Sequence, residues 1–121
     1  MTGTILRAAG LVDGTGRAPL LDAAIRLEDG KVESIGPSGS IQPRPDDKVV
    51  DVGPHFICPG LIDEHTHLGL AGDGRDYEEM AEDTDELMVL AGAMNLRRHL
   101  EAGVTTLRDN GARNLVGFAL R

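Results

Sequence analysis

Aromatic side chains are nearly missing: Phe56, Tyr77 and Phe118 account for 2% of the 121 residues, and there is no tryptophan. Any core must rest on Leu, Val, Ile, Ala and Met. Cysteine occurs once, as Cys58, which excludes an internal disulfide framework and suits a reducing compartment. Nothing near Cys58 lowers its pKa in an obvious way, so it reads as a small core residue and not as a nucleophile. Basic charge is scarce, with 12 Lys and Arg against 20 Asp and Glu for a formal net charge of −8. That balance argues against a nucleic acid or an anionic membrane as partner. Apolar runs stop far short of the ~20 residues of a membrane span, and no basic region precedes an apolar stretch at the start, as a signal peptide would require. Cytoplasm is the expected location.

What is present is enough for one small domain. The hydrophobic share of 40% is modest but too high for a disordered chain. Residues 1–58 read as short strands. Thr4 to Ala9 is the first, followed by the glycine-rich turn Asp13-Gly14-Thr15-Gly16. Ala23 to Leu27 and Lys31 to Ile35 flank Glu28-Asp29-Gly30, and Asp-Gly between two β-prone runs is a strong hairpin signal. Segments 36–40 and 43–47 are loops, and Lys48 to Val52 is another strand. The expectation is an antiparallel β module of four or five strands, small for independent stability.

The pattern changes at Pro59. Leu61 to His67 reads as a strand opening into a glycine-rich loop. Asp83 or Thr84 can cap a helix, with Glu86 placed as in a capping box. Leu87, Leu90, Ala91 and Met94 form an i, i+3, i+4, i+7 stripe, and Arg97, Arg98 and His99 suit the negative end of the helix dipole. Gly103 is the expected stop. Val104 to Arg108 is a second strand, ended by Asp109-Asn110-Gly111, and Asn114 to Arg121 starts another helix. Strand, helix, strand, helix is the pattern of parallel βα units, so the fold class is α/β. Two parallel strands alone leave both edges unpaired, so residues 59–121 are expected to need a further polypeptide segment.

His65-Thr66-His67 carries the most chemistry. Residues two apart on a strand point to one face, which would put Asp63, His65 and His67 together. Imidazole nitrogen is a preferred ligand of zinc and its neighbours, and a carboxylate beside such ligands can orient them. Two histidines at this spacing are also compatible with ordinary polar residues on a strand. The acidic run of eight carboxylates between Asp73 and Glu86, against Arg75 alone, reads either as a solvated lead into a helix N-terminus or as a rim that attracts cationic substrates.

The run Pro59-Gly60-Leu61-Ile62-Asp63-Glu64-His65-Thr66-His67, preceded by Asp29-Gly30-Lys31-Val32 and followed by Gly103-Val104-Thr105-Thr106-Leu107-Arg108-Asp109, resembles the N-terminal part of the amidohydrolase superfamily. Within that superfamily it more closely resembles the imidazolonepropionase-like and Xaa-Pro dipeptidase-like members. The opening Leu11-Val12-Asp13-Gly14-Thr15-Gly16 is similar too, so the likeness covers essentially the whole chain. The resemblance implies a (β/α)8 TIM-type barrel flanked by a β-sandwich. Residues 1–58 would supply sandwich strands, and residues 59–121 the first two βα units of the barrel. It implies His65 and His67 as metal ligands, Asp63 as an acid that orients them without touching the metal, and a divalent metal: zinc first, with manganese, cobalt or ferrous iron as alternatives, as one or two ions. The remaining ligands, among them a carboxylated lysine or a glutamate, would come from a companion polypeptide, natural or produced by cleavage. No catalytic residue is assigned within residues 1–121. Asp109 is a possible mouth residue, although a structural role at the turn is favoured, since turn residues commonly bond their own backbone. The implied function is metal-dependent hydrolysis of a C–N bond in a small or peptide-like substrate by an oligomeric enzyme. The alternative is a non-catalytic β module with an acidic arm that acts as an interaction protein.

Overall fold

The computed structural model describes residues 3–121, and the chain divides into two compact units, Met1–Pro59 and Gly60–Arg121. The first holds five strands: β1 (Thr4–Leu11), β2 (Leu20–Glu28), β3 (Lys31–Pro37), β4 (Lys48–Asp51) and β5 (Phe56–Ile57), with a 3₁₀ turn at Ser38–Ser40. The sheet order is β3-β2-β1-β4, and β5 also pairs with β1. The Asp-Gly hairpin forms between β2 and β3, with Glu28 opposite Lys31. Asp29 (φ 51°) and Gly30 (φ 71°) both take the left-handed conformation that a two-residue hairpin loop of the I′ kind requires.

The sheet is not purely antiparallel, as the sequence pattern suggests. β4 and β5 run parallel to β1. A hairpin turn cannot connect parallel strands; here residues 38–47 carry the chain back across β1 before β4 begins. One core cluster joins Ile5, Ala24 and Ile41, and a second joins Leu11, Ala23 and Ile25 with Leu6, Leu20, Leu27 and Ile57 packed on it. Small aliphatic residues do the work that aromatic residues do elsewhere. Cys58 is exposed and not part of this core, because it lies in the irregular segment after β5.

This unit also buries charge. Arg26 is 3% exposed and forms a two-pronged pair with Asp47, through Nη1 to Oδ2 and through Nη2 to Oδ1 at 2.8 Å. Asp47 accepts two further bonds, from the backbone N–H of Gly3 at 3.1 Å and of Arg44 at 2.8 Å. The Arg26 guanidinium, above all, holds the Asp47 carboxyl well below the usual carboxylate range. A depressed folded-state pKa contributes stability that is complete above the unfolded value of about 3.9 and is lost as pH falls through the folded value. Asp47→Asn keeps the shape but removes the one fully buried carboxylate facing the Arg26 guanidinium, leaving only Glu33 and the more distant Glu28 at its Nε. It is expected to lower the melting temperature by more than about 5 °C at pH 7. Melting curves from pH 7 to pH 2 should show the gap from the parent closing only below about pH 4. A gap that does not change with pH would refute the charge argument.

The second unit contains β6 (Leu61–Thr66), α1 (Tyr77–Ala81), α2 (Asp85–Glu101), β7 (Val104–Asp109) and α3 (Val116–Ala119). β6 and β7 pair in parallel, with α2 as the crossover. Thr84 caps α2 by accepting from Leu87 N–H at 3.4 Å, and Gly103 (φ 88°) ends it. The stripe of Leu87, Leu90 and Met94 does not become the inner face: these residues are 52%, 63% and 59% exposed. The buried positions are Met88 and Gly92, with Asn95 and His99 partly buried on the same side. The helix has apolar residues on more than one side, so periodicity alone does not select the face that meets the strands. The acidic stretch also contains a short helix that the sequence reading leaves as loop: Asp76 caps α1 by accepting from Glu79 N–H at 2.9 Å. Among the described residues, no helix is long and apolar enough to cross a membrane.

Candidate metal centre

His65 and His67 stand at the C-terminal end of β6, both exposed. Their ring centroids are 5.2 Å apart, with the ring planes at 69°. A tetrahedral ion about 2.0–2.1 Å from one nitrogen of each of two rings puts their centroids roughly 5 Å apart. The spacing of the two rings is compatible with two corners of a zinc-like site. Among the described residues, no third His, Cys, Asp or Glu joins them in a group able to hold a metal.

The strand that presents the pair is irregular. Leu61 pairs with Val104 and Ile62 with Thr106, so β7 has an extra residue at Thr105. Asp63 pairs with Leu107 and Thr66 with Asp109, so β6 has an extra residue between Asp63 and Thr66. Such bulges re-aim side chains and are common beside active sites. Strict two-residue alternation therefore does not run unbroken from Asp63 to His67. Asp63 accepts from the backbone N–H of His65 at 3.0 Å. Its Oδ2 stands 3.5 Å from Nε2 of His99 on α2. The carboxylate thus holds the histidine segment through the backbone.

Below the pair the segment is pinned to its neighbours. The Thr66 carbonyl accepts from Asn110 N–H at 2.8 Å, and Leu70 N–H donates to the His67 carbonyl at 3.2 Å. His65, His67, Leu107, Asp109 and Gly111 border one open cavity of about 1010 Å³. Asp109 uses Oδ1 to accept from Gly111 N–H at 3.2 Å. Its buried Oδ2 has no hydrogen-bond partner among the described residues. His55 bonds the Val52 carbonyl and stands in the first unit.

Three of the eight acidic residues, Asp73, Asp83 and Asp85, are paired with arginines. Arg75 bridges Asp73 at 2.9 Å and Asp83 at 2.9 Å, and its guanidinium holds the Asp83 carboxyl below its ordinary range. Asp85 is held low by Asn114 first and then Arg113. Arg113 also donates to the carbonyls of Ala81 and Asp83, at 2.8 and 2.5 Å. These ties fasten the loop after β7 to the α1–α2 junction. The bonds of Arg113 and Asn114 are not visible as a sequence motif, because each spans 28 to 32 residues.

The chain is similar to known proteins in sequence and in fold. The amidohydrolase family profile matches residues 56–120. Imidazolonepropionase from Solibacter usitatus is 35% identical over 107 residues, covering 83% of this chain and 25% of that protein. Among solved structures, molinate hydrolase superposes with a TM-score of 0.80 at 26% identity, over 97% of this chain and 26% of that one. A Xaa-Pro dipeptidase with methionine bound in its active site gives a TM-score of 0.78 at 22% identity, over 98% of this chain and 29% of that one; at that identity the likeness is one of fold. The chain spans between 13% and 30% of the length of the curated relatives it matches.

Proposed function

We propose, since this chain belongs to the amidohydrolase family, that it forms the N-terminal part of a metal-dependent hydrolase acting on C–N bonds. The observation that carries the proposal is the 5.2 Å pairing of the His65 and His67 rings at the end of β6. β6, α2, β7 and α3 are the first two βα units of a TIM-type barrel, and residues 1–58 are strands of a composite β-sandwich. Barrels of this kind present their chemistry at the C-terminal ends of the strands, which is where this pair and Asp109 stand. The exposed apolar side of α2 and the two open edges of the β6–β7 pair suit packing by further barrel elements.

His65 and His67 would be two ligands of a divalent ion, zinc first, at one or two sites. Asp63 would fix the His65 backbone, and Asp109 would border the substrate cavity. When bound, such an ion lowers the pKa of a coordinated water and polarises a carbonyl oxygen. Catalytic zinc generally needs three protein ligands. The remainder, which could include a carboxylated lysine, would come from polypeptide beyond residues 1–121, in the same or a companion chain. The amide, dipeptide and cyclic amide substrates suggested by the relatives' names share a C–N bond open to attack by water, and the proposal stops at that bond type.

The test compares the 121-residue polypeptide, verified by intact mass, with the same chain supplied with the rest of the barrel. The isolated polypeptide is expected to turn over no dipeptide, acyl-amino acid or imidazolone. The completed protein should hydrolyse a C–N bond, lose activity to a chelator and regain it with zinc. Turnover by the isolated polypeptide, or activity indifferent to the chelator in the completed protein, would overturn the proposal.

A further inference from the structure

Asn95 is out of place by local preference. It sits in the interior of α2, a helix of 17 residues, where asparagine is a poor helix former because its amide competes for backbone bonds. Here the amide is used in tertiary contacts. Nδ2 donates to the Leu68 carbonyl at 2.9 Å and to the Leu70 carbonyl at 2.7 Å. Oδ1 accepts from Arg98 Nη1 at 3.2 Å, so the orientation of the amide is determined from both ends. Leu68 follows His67 directly, and Leu70 N–H closes a turn onto the His67 carbonyl at 3.2 Å.

One helical turn further on, His99 shares that face, as i, i+4 neighbours do. Its Nδ1 lies 2.8 Å from the Asn95 carbonyl, and its Nε2 faces Asp63, which accepts the His65 N–H. One face of α2 therefore bonds the segment downstream of the histidines through Asn95 and stands beside Asp63 upstream of them.

We propose that Asn95 is a positioning residue: its two amide hydrogens fix the Leu68–Leu70 turn and thereby set the spacing of the His65 and His67 rings for a divalent cation. The inference rests on the ligand reading above, and its test separates the two. An outer partner of a metal ligand commonly accounts for 10–100-fold in affinity. Neither Leu nor Asp can supply the two donors at position 95. Leucine is the better helix former, so Asn95→Leu removes the grip without weakening the helix. Asn95→Gln carries the same amide one methylene further out and should recover part of the effect.

The measurement is zinc affinity of the completed protein, this chain supplied with the rest of the barrel, by competition with a chromophoric chelator, with melting temperature recorded for each variant. Arg97→Ala, which removes only the exposed pair with Glu101, is the control. Asn95→Leu and Asn95→Asp are expected to bind zinc at least about tenfold more weakly, with Asn95→Gln in between and Arg97→Ala unchanged. If His65→Ala loses binding while both Asn95→Leu and Asn95→Asp keep the parent's affinity, the positioning role is refuted and the ligand reading stands. If His65→Ala binds like the parent, the ligand reading fails and the inference falls with it. Should Asn95→Leu not fold, equal affinities for Asn95→Asp and the parent would refute the role by themselves, and graded affinity from parent through Asn95→Gln to Asn95→Asp would support it.

Discussion

His65→Ala and His67→Ala are each expected to abolish chelator-sensitive activity in the completed protein and to leave the fold of this chain intact. Both side chains are exposed, so truncation creates no buried cavity and should change stability little. On the proposed reading, each imidazole is one of the two donors that the chain brings to the site. Removing an outer partner of a ligand costs roughly 10–100-fold, and removing the ligand itself should cost more. The loss should appear first in metal content, read by elemental analysis of the purified protein, and then in turnover. His55→Ala is the matching control, since its ring bonds only the nearby Val52 carbonyl. If either His65→Ala or His67→Ala keeps full activity and full metal content, that residue is not a ligand.

How much of this was legible in the sequence depends on the reach of each signal. The Asp29-Gly30 hairpin could be read because both residues take left-handed φ values, a demand that selects those residue types locally. The Thr84 cap and the Gly103 stop of α2 are local in the same way. The strand that ends in His65-Thr66-His67 could be read because an apolar, β-prone run follows the Pro59-Gly60 turn signal. The rest is long-range. Asp47 sits in a segment that reads as loop, yet it neutralises Arg26 across 21 positions of sequence. Asn95 looks like a weak spot in a helix until the Leu68 and Leu70 carbonyls stand beside it. The bulge between Asp63 and Thr66 has no glycine to mark it. It interrupts the alternation from which a shared face for Asp63, His65 and His67 follows, and Asp63 instead meets His99 of α2.

Gly60→Ala is expected to have the largest effect on stability of any single methyl addition to the second unit. Beside Pro59, glycine reads as a turn residue, but Gly60 has no left-handed φ. Its requirement is space. A Cβ built there would lie 1.9 Å from Oγ1, 2.4 Å from Cγ2 and 2.6 Å from Cβ of Thr105. Thr105 is the extra residue of the β7 bulge, so its backbone is already displaced from regular pairing and its side chain fills the space over Gly60. Contacts that short cannot be tolerated, and overpacking of this kind typically costs about 1–3 kcal/mol. The strands would have to part where Leu61 N–H bonds the Gly103 carbonyl at 2.9 Å, at the base of the strand that carries both histidines. Thermal melting should show the loss, and zinc affinity should fall with it. The second substitution identifies the cause. Thr105→Ala removes the 1.9 and 2.4 Å contacts but keeps the one at 2.6 Å, so it should rescue Gly60→Ala only in part. Thr105→Gly removes all three and should rescue it further, measured against Thr105→Gly alone. Residues in contact show coupling of roughly 0.5–3 kcal/mol in such a cycle. Simple additivity of the two substitutions would mean that the close approach of β6 to Thr105 is not what glycine provides at position 60.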